Sequence, residues 1–362
     1  MDSKELKERF ANSFRKHAVL DYKVEDWDYV LDNALYVPVE YLKTSLNYQK
    51  EYMLCFCDDY IDLSVIIYEN SKPICAWPIN ILKMNEQWRF STNEKEILPP
   101  IFIHGIQDNE KKKIFEDCLS AIENTQEYLN DCGLYIDSWS TKYSLFEPMK
   151  MNGNIQWFRR CMENGGESDT ICEMYVDLSQ SIEAIHGGLR RRYKSFLNKS
   201  KDLWNVEIIT NVSDDEIEYF RQKHIEVAGR ETRSLESWKK QQQSVNQGNG
   251  FIIKLKDNNN GFVGESLFEI SRDEGLYSVG VYDRTLYEQP VSHMVQWEAI
   301  KYMKQIGLKY YKIGQRFYSG KTLNQRVPTD KELSISYFKE GFMSQMDIAL
   351  IIKNSFKKVD LE

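Results

Sequence analysis

The sequence contains no run of about 20 apolar residues, which is the length that a membrane-spanning helix requires. Its first residues, MDSKELKERF, are charged and lack the apolar region of a secretory signal peptide. We therefore expect a protein without a membrane span that works in the cytoplasm.

Cysteine spacing also gives no sign of a metal site or a disulfide framework. The seven cysteines are an odd number, and Cys55 and Cys57 alternate as in a strand rather than forming a CxxC clamp. The sequence has no Walker phosphate loop and no Ser-His-Asp order. Reduced thiols and no metal are expected, and nothing favours a metalloenzyme, a kinase or a hydrolase.

The net charge of −8 disfavours a general nucleic-acid coat, although the basic stretch 189–194 (LRRRYK) suits local recognition of an anion. With 362 residues, 42% of them hydrophobic and 13% aromatic, the chain can bury a large core. About two domains are expected from this length.

The chain shows a faint internal duplication. Each half contains two apolar segments joined by a polar turn, and the second half adds a third, which predicts strands at 64–68, 73–79, 251–255, 262–270 and 276–282. Each half then predicts a helix that ends in Gly-Leu, at Gly133 and Gly307, and enters another strand. This order predicts a mixed α/β fold of N-acetyltransferase type repeated twice, in domains 1–165 and 170–362 that should superpose.

A helix is predicted over 181–201, because Ile182, Ile185, Leu189 and three later apolar or aromatic residues recur at a helical period. Its other faces are basic and suit either a solvated surface or a phosphate contact. The pair Gly187-Gly188 disfavours a regular helix, so we expect a bend there or a close approach by another group.

Several segments of the second half, in order, resemble the FemAB family: 177–179 (DLS), 189–198 (LRRRYKSFLN), 296–300 (QWEAI), 307–314 (GLKYYKIG) and 336–342 (SYFKEGF). The resemblance covers residues 172–345 well and the first half only by architecture. It implies tandem GNAT-like domains that acylate or aminoacylate an amine. The implied donor is acetyl-CoA, another acyl-CoA or aminoacyl-tRNA, and the implied acceptor is an activated amino sugar or a cell-envelope precursor.

The donor loop departs from the GNAT pattern Q/R-x-x-G-x-G/A, in which backbone N–H groups contact the coenzyme A pyrophosphate. The matching stretch begins at Gln289, and Ser292 and Met294 occupy the glycine positions. Pro290 has no N–H group to donate. The helix that begins there still offers a positive dipole end, so Gln289, Ser292 and His293 are the candidate donor contacts.

Glu298 lies on the apolar stripe of the helix predicted over 291–306. An unpaired buried carboxylate would cost several kcal/mol, so we expect Glu298 to be buried with a partner. Arg284 and Arg316 are the candidate partners, and a catalytic role is the alternative.

Acyl transfer to an amine needs a base, a stabilised oxyanion and an acid for the leaving group. Glu265 and Asp283 are candidate bases at strand positions, and Tyr282 is the candidate acid. We expect the strands 262–270 and 276–282 to separate beside the donor helix, leaving a cleft whose floor carries all three residues. Outward-facing strand residues are the alternative for the carboxylates.

The acceptor is expected to enter opposite the donor. His224 is a candidate base there, and the loop 229–234, closed by Trp238, has the polar composition of an acceptor pocket. Candidate contacts to an anionic acceptor are Arg192, Arg230, Arg233 and Lys339.

Three functions remain open from the sequence. The first is transfer of an acyl group from acyl-CoA to an amino sugar carried on a nucleotide. The second is transfer of an aminoacyl group from tRNA to a peptidoglycan precursor. The absent donor-loop glycines favour the third alternative, a non-catalytic GNAT-like binding module. The net negative charge disfavours the tRNA alternative.

Overall fold

The structure, a computed structural model, describes residues 2–92, 96–150, 152, 154–320 and 327–356. Its helices are α1 (Ser3–Asn12), α2 (Val24–Asp32), α3 (Lys43–Met53), α4 (Asp108–Asp131), α5 (Glu147–Lys150), α6 (Asn154–Glu163), α7 (Ile182–Gly188), α8 (Arg191–Ser200), α9 (Asp214–Ala228), α10 (Leu235–Asn246), α11 (Val291–Gln305) and α12 (Asp330–Glu340). Two 3-10 helices span Val39–Tyr41 and Arg284–Leu286.

The strands are β1 (His17–Val19), β2 (Asp59–Asp62), β3 (Val65–Glu69), β4 (Lys72–Trp77), β5 (Asn80–Met84), β6 (Gln87–Ser91), β7 (Ile101–Phe102), β8 (Ser138–Ser144), β9 (Glu167–Asp177), β10 (Asn205–Ile209), β11 (Gly250–Lys256), β12 (Phe262–Ile270), β13 (Glu274–Tyr282), β14 (Tyr310–Arg316) and β15 (Gln345–Ser355). The predicted mixed α/β fold is confirmed, and each of the five predicted strands is present within one or two residues of its expected ends.

The strands form one large sheet and two small ones. The large sheet has the order β10-β11-β12-β13-β14-β9-β15-β8, and the small sheets have the orders β1-β3-β4-β7 and β2-β5-β6. Although β8 lies in the first half of the chain, it pairs with β15 at the edge of the large sheet. The division at 1–165 and 170–362, and the superposition of the two halves, stay predictions.

The predicted Gly-Leu helix ends are confirmed by backbone geometry. Gly133 follows α4 with φ 72°, and Gly307 follows α11 with φ 86°. Both angles lie in the left-handed region, where glycine carries no Cβ penalty. In the described part of the chain, no helix has the length and apolar content needed to cross a membrane.

The helix predicted over 181–201 forms with the expected bend at Gly187-Gly188: α7 ends at Gly188, and the extended residues Leu189 and Arg190 separate it from α8. The Arg190 amide donates to the carbonyl of Gly341, 3.0 Å away. A Cβ on Gly341 would lie 2.1 Å from the Tyr193 ring, so the end of α12 packs tightly against this break. The expected close approach therefore occurs at Arg190, whereas Cβ atoms on Gly187 and Gly188 would meet open space.

Each face of the large sheet carries its own core. On β11, Ile253 packs with α8 and α11, while the neighbouring Ile252 packs with α9 and α10. Successive side chains of a strand point to opposite faces, so these two helix pairs cover opposite faces of the sheet. This assignment decides which candidate site residues can meet.

A buried cluster of charges joins the two halves. Lys312 Nζ on β14 lies 2.8 Å from Glu40 Oε1 of the first half and 3.2 Å from Glu173 Oε1 on β9. Lys142 Nζ on β8 lies 3.0 Å from the same Glu173 oxygen. Burial alone would raise the pKa of Glu40 and of Glu173, but the two ammonium groups outweigh it and lower both values to about 2.

Replacing Lys312 with methionine should destabilise the protein strongly, because it leaves two buried carboxylates with one ammonium partner. We expect a loss of about 3–5 kcal/mol in the free energy of unfolding, measured by urea denaturation. Lys256→Met is the control, since Lys256 pairs at 2.8 Å with the half-exposed Glu207, and it should cost less than about 1 kcal/mol. Equal effects of the two variants would contradict a structural role for the cluster.

Candidate functional site

The strands that separate in the large sheet are β13 and β14. These parallel strands pair only from Glu274 opposite Tyr310 to Leu276 opposite Lys312. Beyond that point β13 pairs with β12 alone and β14 with β9 alone. The expected separation of 262–270 from 276–282 is wrong, because β12 and β13 stay paired from Gly264 opposite Tyr282 to Ile270 opposite Gly275. We call the opening between β13 and β14 the splay.

Three hydroxyl groups meet at the splay, on the α11 face of the sheet. Ser266 Oγ lies 2.9 Å from the Tyr282 hydroxyl, which lies 3.5 Å from the Tyr277 hydroxyl. Gly280 is needed beside them, since a Cβ there would lie 2.3 Å from the Tyr277 hydroxyl oxygen. Burial raises the pKa of both tyrosines, so they remain neutral donors near pH 7.

A β-bulge brings the two tyrosines to the same face. Residues five apart in a regular strand point to opposite faces. The register between β12 and β13 shifts by one residue at this point. Leu267 is opposite Val279, but the next residue, Phe268, is opposite Tyr277. Ser278 is therefore an extra residue on β13. The extra residue reverses the alternation and places Tyr277 on the same face as Tyr282.

Lys339, at the end of α12, lies across the splay from these hydroxyls. Its Nζ lies 5.3 Å from the centre of the Tyr277 ring, and a Cβ on Gly314 of β14 would lie 3.3 Å from that nitrogen. Among the described residues no carboxylate pairs with Lys339, and burial lowers its pKa. The splay therefore contains an ammonium group whose charge is not neutralised by a neighbour.

The next residue on α12, Glu340, holds this part of the helix in place. Its two carboxylate oxygens lie 3.1 Å from Arg190 Nη2 and 3.2 Å from Arg316 Nε. The Tyr193 hydroxyl donates to the carbonyl of Phe338 at 2.9 Å. Because both neighbours of Lys339 are fixed, the position of its side chain at the splay is restricted.

The predicted donor loop precedes α11, which packs beside the splay. Gln289 is exposed, Ser292 is half-buried, and the first-turn amides of α11 have no acceptor among the described residues. The His293 ring packs edge-on against Tyr193 and Phe196, with ring centres 4.4 and 4.9 Å apart. Burial, together with the nearby Arg192, lowers the pKa of His293 to about 4, so the ring is neutral near pH 7.

Arg192 belongs with the donor loop rather than with the acceptor residues. Its guanidinium lies 4.9 Å from the centre of the Phe196 ring, in the same aromatic group as His293. Arg230 and Arg233 lie after α9, on the opposite face of the sheet. The prediction that these three arginines converge on one anionic group is therefore wrong.

The predicted acceptor residues of the α9 and α10 face do form a cluster. The His224 ring lies 5.4 Å from the Trp238 ring, and Trp238 is a core residue. Arg233 stacks on Trp238 at 4.6 Å and donates to the Tyr48 hydroxyl of α3 at 2.7 Å. Burial, and secondarily Arg233, lower the pKa of His224. These contacts tie the two halves together, and Arg230 is exposed.

Glu265 is fully buried but does not lie at the splay. It is opposite Lys254 on β11, on the face covered by α9 and α10, whereas the neighbouring Ser266 is on the face with Tyr282. Lys254 Nζ lies 3.7 Å from the carboxylate, whose two oxygens accept no hydrogen bond from the described residues. Burial raises the pKa of Glu265 to about 7 in spite of Lys254. The expected shared floor of Glu265 and Tyr282 is wrong.

Asp283 and Glu298 have structural partners. One Asp283 oxygen accepts hydrogen bonds from the amide and hydroxyl of Thr285, so Asp283 caps the 3-10 helix after β13. Glu298 is buried, as predicted, but its ion-pair partner is Lys301 at 2.7 Å rather than Arg284 or Arg316. Both carboxylates therefore have local structural partners, and a catalytic role for either stays a prediction.

Sequence reasoning missed Ser266, Tyr277 and Gly314. A strand pattern places Tyr277 and Tyr282 on opposite faces, and only the bulge at Ser278 reverses this. For Gly314 the only signal in the sequence was the residue type. A glycine can adopt φ 128°, and the missing side chain leaves room for Lys339.

Replacing Glu265 with glutamine should stabilise the protein at high pH. The unfolded carboxyl loses its proton near pH 4.3, while the folded one keeps it up to about pH 7, so stability falls between these values and stays low above them. At pH 8 we expect a gain on the order of 3 kcal/mol and a flatter dependence on pH, measured by denaturation across pH. Glu207→Gln, at an exposed position, should change stability by less than about 1 kcal/mol. A loss of stability in Glu265→Gln at pH 8 would contradict the buried, raised-pKa carboxyl.

No protein-family model and no curated protein matches this chain. Solved structures do match along nearly its whole length. FemX aligns with a TM-score of 0.58 at 9% identity, over 98% of this chain and 96% of FemX. L-PGS from Bacillus licheniformis aligns with a TM-score of 0.52 at 11% identity, over 91% of this chain and 90% of that chain.

A third structure, the C-terminal domain (DUF2156) of a putative lysylphosphatidylglycerol synthetase from Agrobacterium fabrum, aligns with a TM-score of 0.52 at 9% identity. That match covers 98% of this chain and 92% of the other. At such low identity the likeness shows the fold. It confirms a fold like that of FemX, as the resemblance to the FemAB family predicts.

Proposed function

We propose that this protein is an N-acyltransferase that joins an acyl group to an amine at the splay. The observation that carries the proposal is the unpaired Lys339 ammonium facing the hydroxyl group cluster of Ser266, Tyr277 and Tyr282, beside the start of α11. Such a group of preorganised donors suits the oxyanion that forms when an amine attacks an acyl carbonyl. The likeness in fold to FemX supports this reaction class.

The chemistry follows from the positions of these groups. The acceptor nitrogen bonds to the acyl carbon, and the oxyanion lies within reach of Lys339 and the Tyr277 hydroxyl. When the bond to the leaving group breaks, that group takes a proton from Tyr282, which we propose as the acid, in keeping with the sequence prediction. Ser266, 2.9 Å from Tyr282, takes up the proton lost by the amine and passes its own proton to Tyr282, which restores the acid.

The proposed acid-base path uses no carboxylate. Among the described residues no carboxylate or histidine hydrogen-bonds the three hydroxyl groups. Glu265 and His224 lie on the other face of the sheet, and Asp283 caps a 3-10 helix. We therefore propose that the acceptor amine is deprotonated through the hydroxyl groups and solvent.

The proposed donor is an acyl-CoA, such as acetyl-CoA, held at the start of α11. The first-turn amides of this helix have no other acceptor among the described residues, and Ser292 and Arg192 lie beside them. A helix N-terminus with a nearby guanidinium fits a pyrophosphate, even without the usual glycines. Gln289, which is exposed, is the outermost proposed contact.

The proposed acceptor is an amino sugar, carried on a nucleotide, or another precursor of the cell envelope. The likeness to a domain described as a putative lysylphosphatidylglycerol synthetase supports an envelope precursor. A second candidate is transfer from aminoacyl-tRNA to a peptidoglycan precursor. The exposed basic residues of α8 favour this donor, because they lie next to the donor loop.

The function is tested by incubating the protein with radiolabelled acetyl-CoA or with charged tRNA, each against a panel of UDP-linked amino sugars and peptidoglycan precursors. We expect product from acyl-CoA and an amino sugar. Product from charged tRNA alone would favour the second candidate. Acyl-CoA binding without product from any acceptor would support a non-catalytic binding module, and absence of both binding and turnover would contradict the proposal.

Replacing Lys339 with methionine should lower kcat by about 100- to 1,000-fold, because it removes the cation that faces the developing oxyanion. Lys339→Arg keeps the charge but changes its position, and we expect partial activity. Lys331→Met is the matched control, since Lys331 lies exposed on the same helix. Steady-state kinetics measure all three variants, and wild-type kcat in Lys339→Met would exclude the proposed role.

The two arginines on opposite faces should differ in their effect on donor use. Arg192→Ala removes a charge beside the donor loop, and we expect the KM for the donor to rise about 10-fold. Arg230→Ala removes an exposed charge on the other face and should leave donor KM unchanged. A rise in acceptor KM alone in Arg230→Ala would instead restore the acceptor role predicted from the sequence.

A further inference from the structure

A groove separate from the splay lies at the β8 edge of the large sheet, between β6 and β8. Its volume is about 480 Å³, within the usual range for small-molecule sites. Three strand spacings separate β8 from β14, a distance of about 14 Å, so the groove is distinct from the splay. The residues used here are Trp88, Arg89, Glu96, Tyr135, Asp137 and Lys353.

The charged side chains of this groove have no ion-pair partner in the part of the chain that the structure describes. Among the described residues, Arg89 and Lys353 have no carboxylate partner, and Glu96 and Asp137 have no cationic partner. By contrast, Lys142 on β8, a strand that lines the groove, pairs with Glu173 at 3.0 Å. Two cations and two carboxylates that line one groove without pairing leave both kinds of charge available to a ligand.

Aromatic groups form another part of the groove wall. Tyr135 is 61% exposed, a high value for a tyrosine, and Trp88 is 8% exposed. The Trp88 indole N–H is buried and has no acceptor among the described residues. An unsatisfied buried donor is costly, and an oxygen of a ligand seated in the groove would satisfy it after a small adjustment of the wall.

We propose that this groove binds a nucleoside monophosphate. Arg89 and Lys353 bind the phosphate, the base packs against Tyr135, and the ribose hydroxyls donate to Asp137 and Glu96. The two carboxylates would repel a phosphate ion that brought no donor groups of its own. The volume and the aromatic side chains likewise favour a ligand that carries a ring.

The proposal is tested by titrating AMP and UMP into the full chain, with adenosine and inorganic phosphate as separate arms. Tryptophan fluorescence reports binding, because Trp88 and Trp139 line the groove, and calorimetry gives the affinity. We expect a Kd below about 1 mM for at least one nucleotide and at least 10-fold weaker binding of adenosine and of phosphate. Equal affinity for inorganic phosphate, equal affinity for adenosine, or no binding of either nucleotide would each overturn the proposal.

Variants then locate the site. Arg89→Ala and Lys353→Ala should each weaken nucleotide binding about 10-fold, and Trp88→Phe, which keeps an aromatic ring but removes the N–H, about 3- to 10-fold. Arg159→Ala is the matched control, since Arg159 is an exposed arginine of α6 outside the groove, and it should bind normally. If Arg89→Ala does not fold, Arg89→Gln takes its place as the test of the arginine. Normal binding by folded Arg89 and Lys353 variants would place the ligand elsewhere and overturn the assignment.

Discussion

The structure depends on one buried ammonium, Lys312, held between a carboxylate of each half. Lys312 lies where the pairing of β13 with β14 ends, and its contacts with Glu40 and Glu173 are 2.8 and 3.2 Å. Charges removed from water are tolerated only with close partners, so this position cannot shift without large cost. The same cluster therefore joins the two halves and fixes the point at which the strands separate.

The first half supports this region at neighbouring positions. The Tyr36 hydroxyl and the Val39 amide both donate to Glu274, at 2.5 and 2.9 Å, at the start of β13. The start of β13 is thus fixed by the first half, while its other end carries Tyr282 beside α11. The contacts of the first half therefore hold β13 and β14 in place on both sides of the splay.

Much of the fold could be predicted from the sequence, because apolar periodicity and glycine positions determine local structure. The strands of the second half, the helix α11 and the burial of Glu298 followed from these patterns. The site was harder, because it depends on which face each side chain occupies. Glu265 and Ser266 are adjacent in the chain but lie on opposite faces of the sheet.

Two further features depend on long-range contacts that the sequence does not show. The bulge at Ser278 reverses the facing of Tyr277, and it is visible only in the pairing of β12 with β13. The break at Arg190 involves Gly341, which is more than 100 residues away in the sequence. The carbonyl of Gly341 accepts a hydrogen bond from the Arg190 amide. The pair Gly187-Gly188 predicted a bend there, but the local sequence carries no information on that partner.

The place of β15 in the large sheet has a consequence for the order of folding. This strand lies between β8 and β9, which precede it by about 200 residues, and its Ile352 packs in the core of the first half. Until residue 355 has been synthesised, β8 has no neighbour in the large sheet and that core lacks a side chain. The first half of a nascent chain therefore lacks the strand that pairs with β8, and an unpaired strand edge is a site at which chains can associate.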